Sequence, residues 1–384
     1  MSGRLNPALV RVIAGQICIH ACMAGTRLAA PLLALRQGHS AAAVGMLLAL
    51  FALTQVFLSL PAGRFADRHG LRLPLGLAAI ASTVGAGMAA AFPVLPVLCV
   101  AALLTGGATG VASIATQRHV GRAAATPTEL KQVFSWLSIG PAISNFLGPF
   151  AAGLMIDHGG FRLAFLLMAV VPVFGWLCIR KEQELPPVTR PAGEPPGKAW
   201  DLLREPMFRR LLVVNWFLAS CWDVHTFVVP VLGNERGLSA SVIGTILGAF
   251  AVAAAAIRVL LPMIAAHVRE RHVITGAMGA TALLFGIYPL LHSPLSMGAC
   301  SILLGVALGC VQPMVMSMLH QITPEHRHGE AVGLRMMAIN ASSVAMPMLF
   351  GVAGTVIGIG GVFWIVGAVV GLGSRLAWGL RTEH

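Results

Sequence analysis

Twelve apolar stretches, each the length of a membrane-crossing helix, follow one another along this chain, centred near residues 22, 51, 82, 107, 144, 170, 221, 251, 282, 307, 343 and 368. A hydrocarbon layer of about 30 Å takes about 20 apolar residues of helix to cross. A chain patterned this way folds in lipid. Composition closes the alternatives, because 57% of the 384 residues are apolar and 10% are charged, against roughly 25% charged in soluble domains. No water-surrounded globule of this size has interior enough for that much apolar side chain. A soluble enzyme, a nucleic-acid binder and a disordered chain are excluded. The expected fold is all-α, with twelve transmembrane helices.

The breaks between stretches fall at turn or charge clusters: Arg36 to His39, Ala66 to Gly70, Asp157 to Gly160, Asn234 to Gly237 and Pro324 to Gly329. The segment 181–207 differs from these. It holds Pro186, Pro187, Pro191, Pro195 and Pro196 among charges and divides the chain almost in half. Residues 1–180 and 208–384 are therefore read as two six-helix bundles and 181–207 as a linker. The first apolar run, Leu9 to Leu35, is too long for a signal-peptide core and is expected to be retained. The seven cysteines all lie in apolar stretches without a CxxC pair, so they read as small packing residues. No cofactor and no metal are expected.

The net charge of +12 is a topology signal. With the N-terminus, the even-to-odd loops and the C-terminus on the cytoplasmic side, 20 of the 26 Lys and Arg fall there. Three (Arg36, Arg162, Arg236) fall in outer loops and three (Arg27, Arg258, Arg335) within spans. Such a bias is the positive-inside pattern. It places both termini and the linker in the cytoplasm and the chain in the cell (inner) membrane, as a monomer, and accounts for the alkaline composition without nucleic acid.

The chain also repeats itself. In a 199-residue register Arg11 meets Arg210, Cys22 meets Cys221, Pro31 meets Pro230, Gly38 meets Gly237, Gly45 meets Gly244 and Phe51 meets Phe250. A 198-residue register aligns Ser144, Pro149 and Gly153 with Ser342, Pro347 and Gly351. An offset of six spans preserves orientation, so the two bundles are parallel, pseudo-symmetric repeats.

Two motifs point to a family. The loop after the second span reads Gly63-Arg64-Phe65-Ala66-Asp67-Arg68-His69-Gly70-Leu71-Arg72. Gly63 and Gly70 permit a tight reversal there, and Asp67 is suited to cap a helix N-terminus or pair with an Arg. The fifth span carries Gly140-Pro141, Gly148-Pro149 and Gly153, where small residues allow close helix approach and proline bends the helix. The first motif resembles the G-x-x-x-D-R-x-G-R signature of the major facilitator superfamily. The second is similar to the Gly-Pro motif of its 12-span drug:proton antiporters. The resemblance implies the major facilitator fold, a substrate site at the repeat interface near the bilayer midplane, and alternating access by rocking of the halves, that superfamily being the standing example of parallel repeats. It also implies that Gly63, Asp67, Arg68, Gly70, Arg72, Gly148, Pro149 and Arg335 serve conformational gating. The second half departs from the pattern, with Ala266 and His267 where a repeated Asp and Arg would fall.

An ionisable side chain inside a span is costly and is a functional candidate by default. Asp223 is the one carboxylate well inside a span, and Arg27 lies in the first. In the 199-residue register Arg27 meets Thr226, three residues beyond Asp223. Polar residues recur at helical spacing on four spans: Gln16, His20 and Arg27; Thr105, Thr109 and Thr116; Asn215, Trp222, Asp223 and Thr226; Gln312 and Met316. These spans correspond to the cavity-lining set of the superfamily, so Gln16, Arg27, Thr105, Thr109, Asn215, Trp222, Thr226, Gln312 and Met316 are the expected substrate contacts. Two readings of the charges stand side by side. Asp223 takes up and releases a proton as its contact with Arg27 changes, with His20 a further carrier, or Arg27 and Asp223 form a fixed latch. Arg258 and Arg335 lie near span ends, where snorkelling, or a pairing of Arg335 with Asp67, is expected.

The partners expected on these grounds are a small-molecule substrate, protons and the lipid bilayer. Proton-coupled efflux of a small amphiphilic compound is the leading reading, with Trp136, Trp216, Trp222 and Met316 suited to an apolar pocket. Import or facilitation of a small organic anion held by Arg27 is the alternative. An intramembrane enzyme or sensor is disfavoured, since no HExxH motif and no paired intramembrane carboxylates occur.

Overall fold

The computed structural model describes residues 7–185, 199–238 and 240–380. Residues 186–198, the proline-rich part of the expected linker, lie outside the described residues. Among the described residues all regular structure is helical: α1 (Pro7–Arg36), α2 (Ala41–His69), α3 (Arg72–Ala91), α4 (Leu95–Ala123), α5 (Pro127–Leu137), α6 (Gly140–Ile179), α7 (Pro206–Glu235), α8 (Ala240–Ile264), α9 (Glu270–Ile287), α10 (Pro294–Gly309), α11 (Val311–Ile322) and α12 (His328–Trp378). Ten helical stretches among them are long and apolar enough to cross a membrane. Large apolar side chains stand open on the surface, with Phe57 and Leu372 each 71% exposed. Apolar surface on that scale is unstable in water and at home in acyl chains.

Helix ends and breaks follow from local chemistry. Ser40, Thr126 and Ser293 cap α2, α5 and α10 by accepting the amides of Ala43, Glu129 and Ser296. Pro141 has no N–H to offer the carbonyl four residues back, and α5 stops before it. Pro313 does the same to the Gly309 carbonyl and separates α10 from α11. α6 and α12 run for 40 and 51 residues, longer than the roughly 20 that one crossing takes. Each is interrupted once, at Gly160 (φ 77°) and Gly358 (φ 75°). Only a residue without Cβ adopts that backbone freely, so these two glycines turn the chain between two helical arms.

The helices gather into two compact units. Unit one comprises Met1–Ala123, Ile139–Ala199 and Pro324–Asn340. Within it α1 packs on α4 and α6, α2 on α4, and α3 on α4 and α6. Close approach depends on small residues: a Cβ on Gly148 of α6 would collide with the Ala21 carbonyl and lie 3.0 Å from the Gly25 amide nitrogen of α1. Unit two comprises Ala124–Ser138, Trp200–Thr323 and Ala341–His384. Within it α8 packs on α10 and α5, and α11 packs on α5, α7 and α9.

The internal repeat reappears as repeated contacts. In unit one, Gly106 of α4 meets the Phe51 carbonyl of α2 so closely that a Cβ would overlap it. In unit two, Gly305 of α10 meets the Phe250 carbonyl of α8 in the same way. Both residue pairs are related by the 199-residue register. Gly38 and Gly237, also in that register, take the left-handed backbone at φ 82° and 70°.

Candidate functional site

In unit one the polar stripes of α1 and α4 face each other. Gln16 Nε2 donates to Ser113 Oγ at 3.4 Å. Thr105 and Thr109 are buried, and their hydroxyls donate to the carbonyls of Ala101 (2.7 Å) and Thr105 (2.9 Å) on their own helix. Threonine commonly turns its hydroxyl back in this way, and it leaves the methyl groups to line the helix face. Gln16 Oε1, His20 Nδ1 and Thr116 Oγ1 are buried with no hydrogen-bond partner. Buried polar atoms are rarely left so, and these three lie on the polar stripes of α1 and α4. Arg27 stands exposed further along α1.

In unit two α7 supplies the matching stripe. Asn215 is 3% exposed. Asp223 Oδ2 is buried without a hydrogen-bond partner, an expensive position for a carboxylate oxygen. Thr226 is exposed and donates to the Trp222 carbonyl at 3.0 Å. The Trp222 ring lies edge-on to Phe250 at 4.6 Å, with the Arg258 guanidinium 5.6 Å from its centroid. On α11, Gln312 is half-buried and Met316 is buried. His225 belongs to a different face. Its ring stacks on Phe250 at 4.0 Å, and its Nε2 meets Ser301 Oγ at 2.9 Å, which also bonds the Tyr288 hydroxyl at 2.8 Å.

A second cluster in unit one is built on the Gly63 to Arg72 segment, the last turns of α2 and the start of α3. Asp67 Oδ1 accepts from Arg118 Nε at 2.7 Å and from the Gly329 amide at 2.9 Å; Oδ2 accepts from the Glu330 amide at 3.1 Å. Those amides open the first turn of α12, so Asp67 caps that helix from another one and meets the positive end of its dipole. Glu330 accepts from Arg64 at 3.0 Å and Arg327 at 2.9 Å, and Glu325 accepts from Arg122 at 2.8 Å. Gly63 and Gly329 touch backbone to backbone, and a Cβ on Gly333 would lie 2.6 Å from the Ser59 carbonyl. Small residues four apart on both helices make that crossing possible. At the other end of the segment Glu184 accepts the Leu71 amide at 2.9 Å, and the Arg72 side chain donates to the Arg180 carbonyl.

A family model described as Major Facilitator Superfamily matches residues 12–299 and, again, 211–384. The chain belongs to the Major Facilitator Superfamily. The second match begins in α7, where the internal repeat restarts. An uncharacterized MFS-type transporter, y4rN, of Sinorhizobium fredii is 25% identical over 280 residues, 68% of this chain. The chain spans 65% of that relative's length. A bacterial homologue of the iron transporter ferroportin, solved in an outward-facing state, superimposes with a TM-score of 0.77 at 18% identity, covering 98% of this chain and 100% of that one. The human organic anion transporter MFSD10 (TETRAN) gives 0.79 at 16% identity, covering 97% and 100%. At such identities the likeness concerns the fold. This is a multi-pass membrane protein of a transporter superfamily, not an enzyme.

Against that family background, three sequence expectations change. The reversal after α2 is made by Gly70 alone (φ 75°), whereas Gly63 lies inside the helix and serves the crossing with α12. Arg258 does not snorkel: it is 8% exposed, and it donates to the Ser138 carbonyl (3.0 Å) and the Gly309 carbonyl (3.2 Å). Gly309 is the carbonyl that Pro313 leaves unmet. Asp67 takes Arg118, at 2% exposure, as its cation. By sequence, Arg118 counted only as one more cytoplasmic charge; its signal was a basic residue among Thr116, Gln117 and His119 at the end of an apolar span. Arg335 is buried at 4% exposure, Arg68 is exposed, and Pro149 lies inside α6.

Proposed function

We propose that this Major Facilitator Superfamily protein is a secondary transporter that exports a small amphiphilic solute by alternating access, coupled to proton entry. In this reading α6 and α12 each fold back at their interrupting glycine and supply two crossings, for twelve in all. Residues 1–180 and 208–384 form the two rocking halves, joined by a cytoplasmic linker at 181–207, in the inner membrane with both termini inside. The observation that supports it most is Asp223, a carboxylate near the middle of α7 whose Oδ2 is buried and without a hydrogen-bond partner, while the Ser343 side chain hydrogen-bonds the group. Such a group is stable when it holds a proton and reactive toward a cation when it does not. Arg27 is the natural counter-charge, and Gln16, Trp222, Gln312 and Met316 are the natural solute contacts. The Asp67–Arg118 cap on α12 supports gating, because it ties α2, from residues 1–180, to α12, from residues 208–384, and has to open when those halves rock.

The test is transport in proteoliposomes with and without an imposed pH gradient, using a compound first found by thermal stabilisation of the purified protein. Wild type accelerates with the gradient. Asp223→Asn loses the acceleration yet keeps exchange of labelled for unlabelled solute. Unchanged gradient-driven transport in that variant overturns the proton role.

A second reading is facilitation or import of a small organic anion held by Arg27. The exposure of that guanidinium on α1 and the likeness in fold to the human organic anion transporter MFSD10 favour it. Under it Arg27→Ala abolishes uptake, and Asp223→Asn leaves it intact.

A further inference from the structure

Two cavities of unit two adjoin at the turn between α8 and α9. One is an apolar cleft of about 440 Å³ between α8, α9 and α10, lined by residues such as Leu261, Ile264, Ala277, Leu284 and Leu303. The other is a polar pocket of about 490 Å³, lined by Lys131, His267, Arg269, Glu270 and Arg271. Val268, in the turn between α8 and α9, lines both, so the two cavities adjoin at that residue.

The charges in the polar pocket do not balance. Glu270 is taken up within the protein: it accepts from Ser317 and Gln321 at 2.9 Å each and stands 3.8 Å from Lys131, which also donates to the Val268 carbonyl at 2.8 Å. Arg269 and Arg271 make no ion pair among the described residues. Arg269 is exposed, and Arg271 lies 5.6 Å over the ring of Trp378. Trp378 is itself 59% exposed at the end of α12, a position typical of the bilayer interface.

The internal repeat shows that this opening is specific to the second half. In unit one the equivalent corner is sealed by Asp67 and by the Gly63–Gly329 crossing. In the 199-residue register Asp67 becomes Ala266, and in the 198-residue register Gly329 corresponds to Lys131. Losing the capping carboxylate and replacing a glycine with lysine turns a closed corner into a cationic pocket.

We propose that this corner binds an anionic glycerophospholipid, its phosphate held by Arg269 and Arg271 and one acyl chain lying in the cleft of α8, α9 and α10. The charge complementarity is direct, since basic pockets between helices at the cytoplasmic side of a membrane suit anionic headgroups. The positive-inside bias assigns this end to the cytoplasmic leaflet. The site stands apart from the transported solute, so its test does not depend on the transport reading.

The experiment is native mass spectrometry of the delipidated full-length protein with added phosphatidylglycerol or phosphatidylcholine of identical acyl chains. Wild type retains phosphatidylglycerol roughly tenfold or more over phosphatidylcholine, the scale of two cations beside an anionic headgroup. Arg269→Ala with Arg271→Ala brings the two lipids to parity. Gly276→Phe fills the cleft; Gly276 lines it, and a Cβ there meets no atom within 4 Å, so this variant is expected to melt with wild type and to release phosphatidylglycerol. Excess glycerol phosphate, a headgroup without tails, fails to displace the lipid. Equal retention of the two lipids by wild type, undiminished preference in the double variant, unchanged binding to Gly276→Phe, or displacement by glycerol phosphate each overturns the proposal.

Discussion

Asp67 and Arg118, 51 residues apart in sequence and on different helices, meet at 2.7 Å, and the same carboxylate holds the first amides of α12. Arg118 is 2% exposed, so its charge depends on this partner. A buried ion pair adds little over an apolar pair of the same shape, whereas breaking one partner is costly because a charge is left alone. The arrangement is therefore stable when complete and sharply weaker when any member is withdrawn, which is the property of a latch.

Asp67→Ala is expected to destabilise the purified protein by about 3 kcal/mol or more, the usual cost of leaving one partner of a buried pair. Adding Arg118→Met to that variant recovers a substantial part, since the stranded charge is then gone. Thermal melts of the two single variants and the double variant close the cycle. If Asp67→Ala melts with wild type, the carboxylate does not hold α12.

The repeated glycine contacts predict a matched pair of effects. Gly106→Ala and Gly305→Ala push a methyl group into the carbonyls of Phe51 and Phe250, and each is expected to cost about 1–3 kcal/mol from overpacking. Gly45 and Gly244, also related by the repeat, have no atom within 4 Å of a built Cβ. Alanine at either is expected to be neutral or to stabilise by about 0.5–1 kcal/mol, because glycine is the more entropic residue in a helix. Melting temperatures of the four variants separate the two pairs. An equal response across all four would show that close approach is not what these helices require.

The membrane-spanning pattern, the parallel repeat and the turn positions were legible because each is a local or periodic property of the chain. Gly38 and Gly237 occupy the turns their register implied, and Asp157 to Gly160 did mark a turn. Partner choice was not legible. Asp67 was suited to cap or to pair, but nothing in its neighbourhood names Arg118, or Gly329 and Glu330 some 262 residues away. The threonine stripe of α4 marks a helix face but not a hydroxyl direction, since a threonine has two staggered choices and Thr105 and Thr109 donate to the preceding turn. Proline was expected to bend the fifth span; Pro141 and Pro313 go further, and α5 is separate from α6 and α10 from α11.

Pro313 bears on Arg258 and gives the last prediction. Pro313 deprives the Gly309 carbonyl of its helical donor, and Arg258 Nε supplies one at 3.2 Å while Nη1 serves Ser138 at 3.0 Å. Arg258→Met removes both donors and strands two buried carbonyls, at about 1–3 kcal/mol for each group left unmet. Pro313→Ala restores an N–H at the position from which the Gly309 carbonyl would ordinarily be reached. The double variant should therefore melt above Arg258→Met alone, even though Pro313→Ala by itself straightens the break between α10 and α11. An additive loss in the double variant would mean that the arginine serves Trp222 or another group, and that the proline-freed carbonyl is not its reason for being buried.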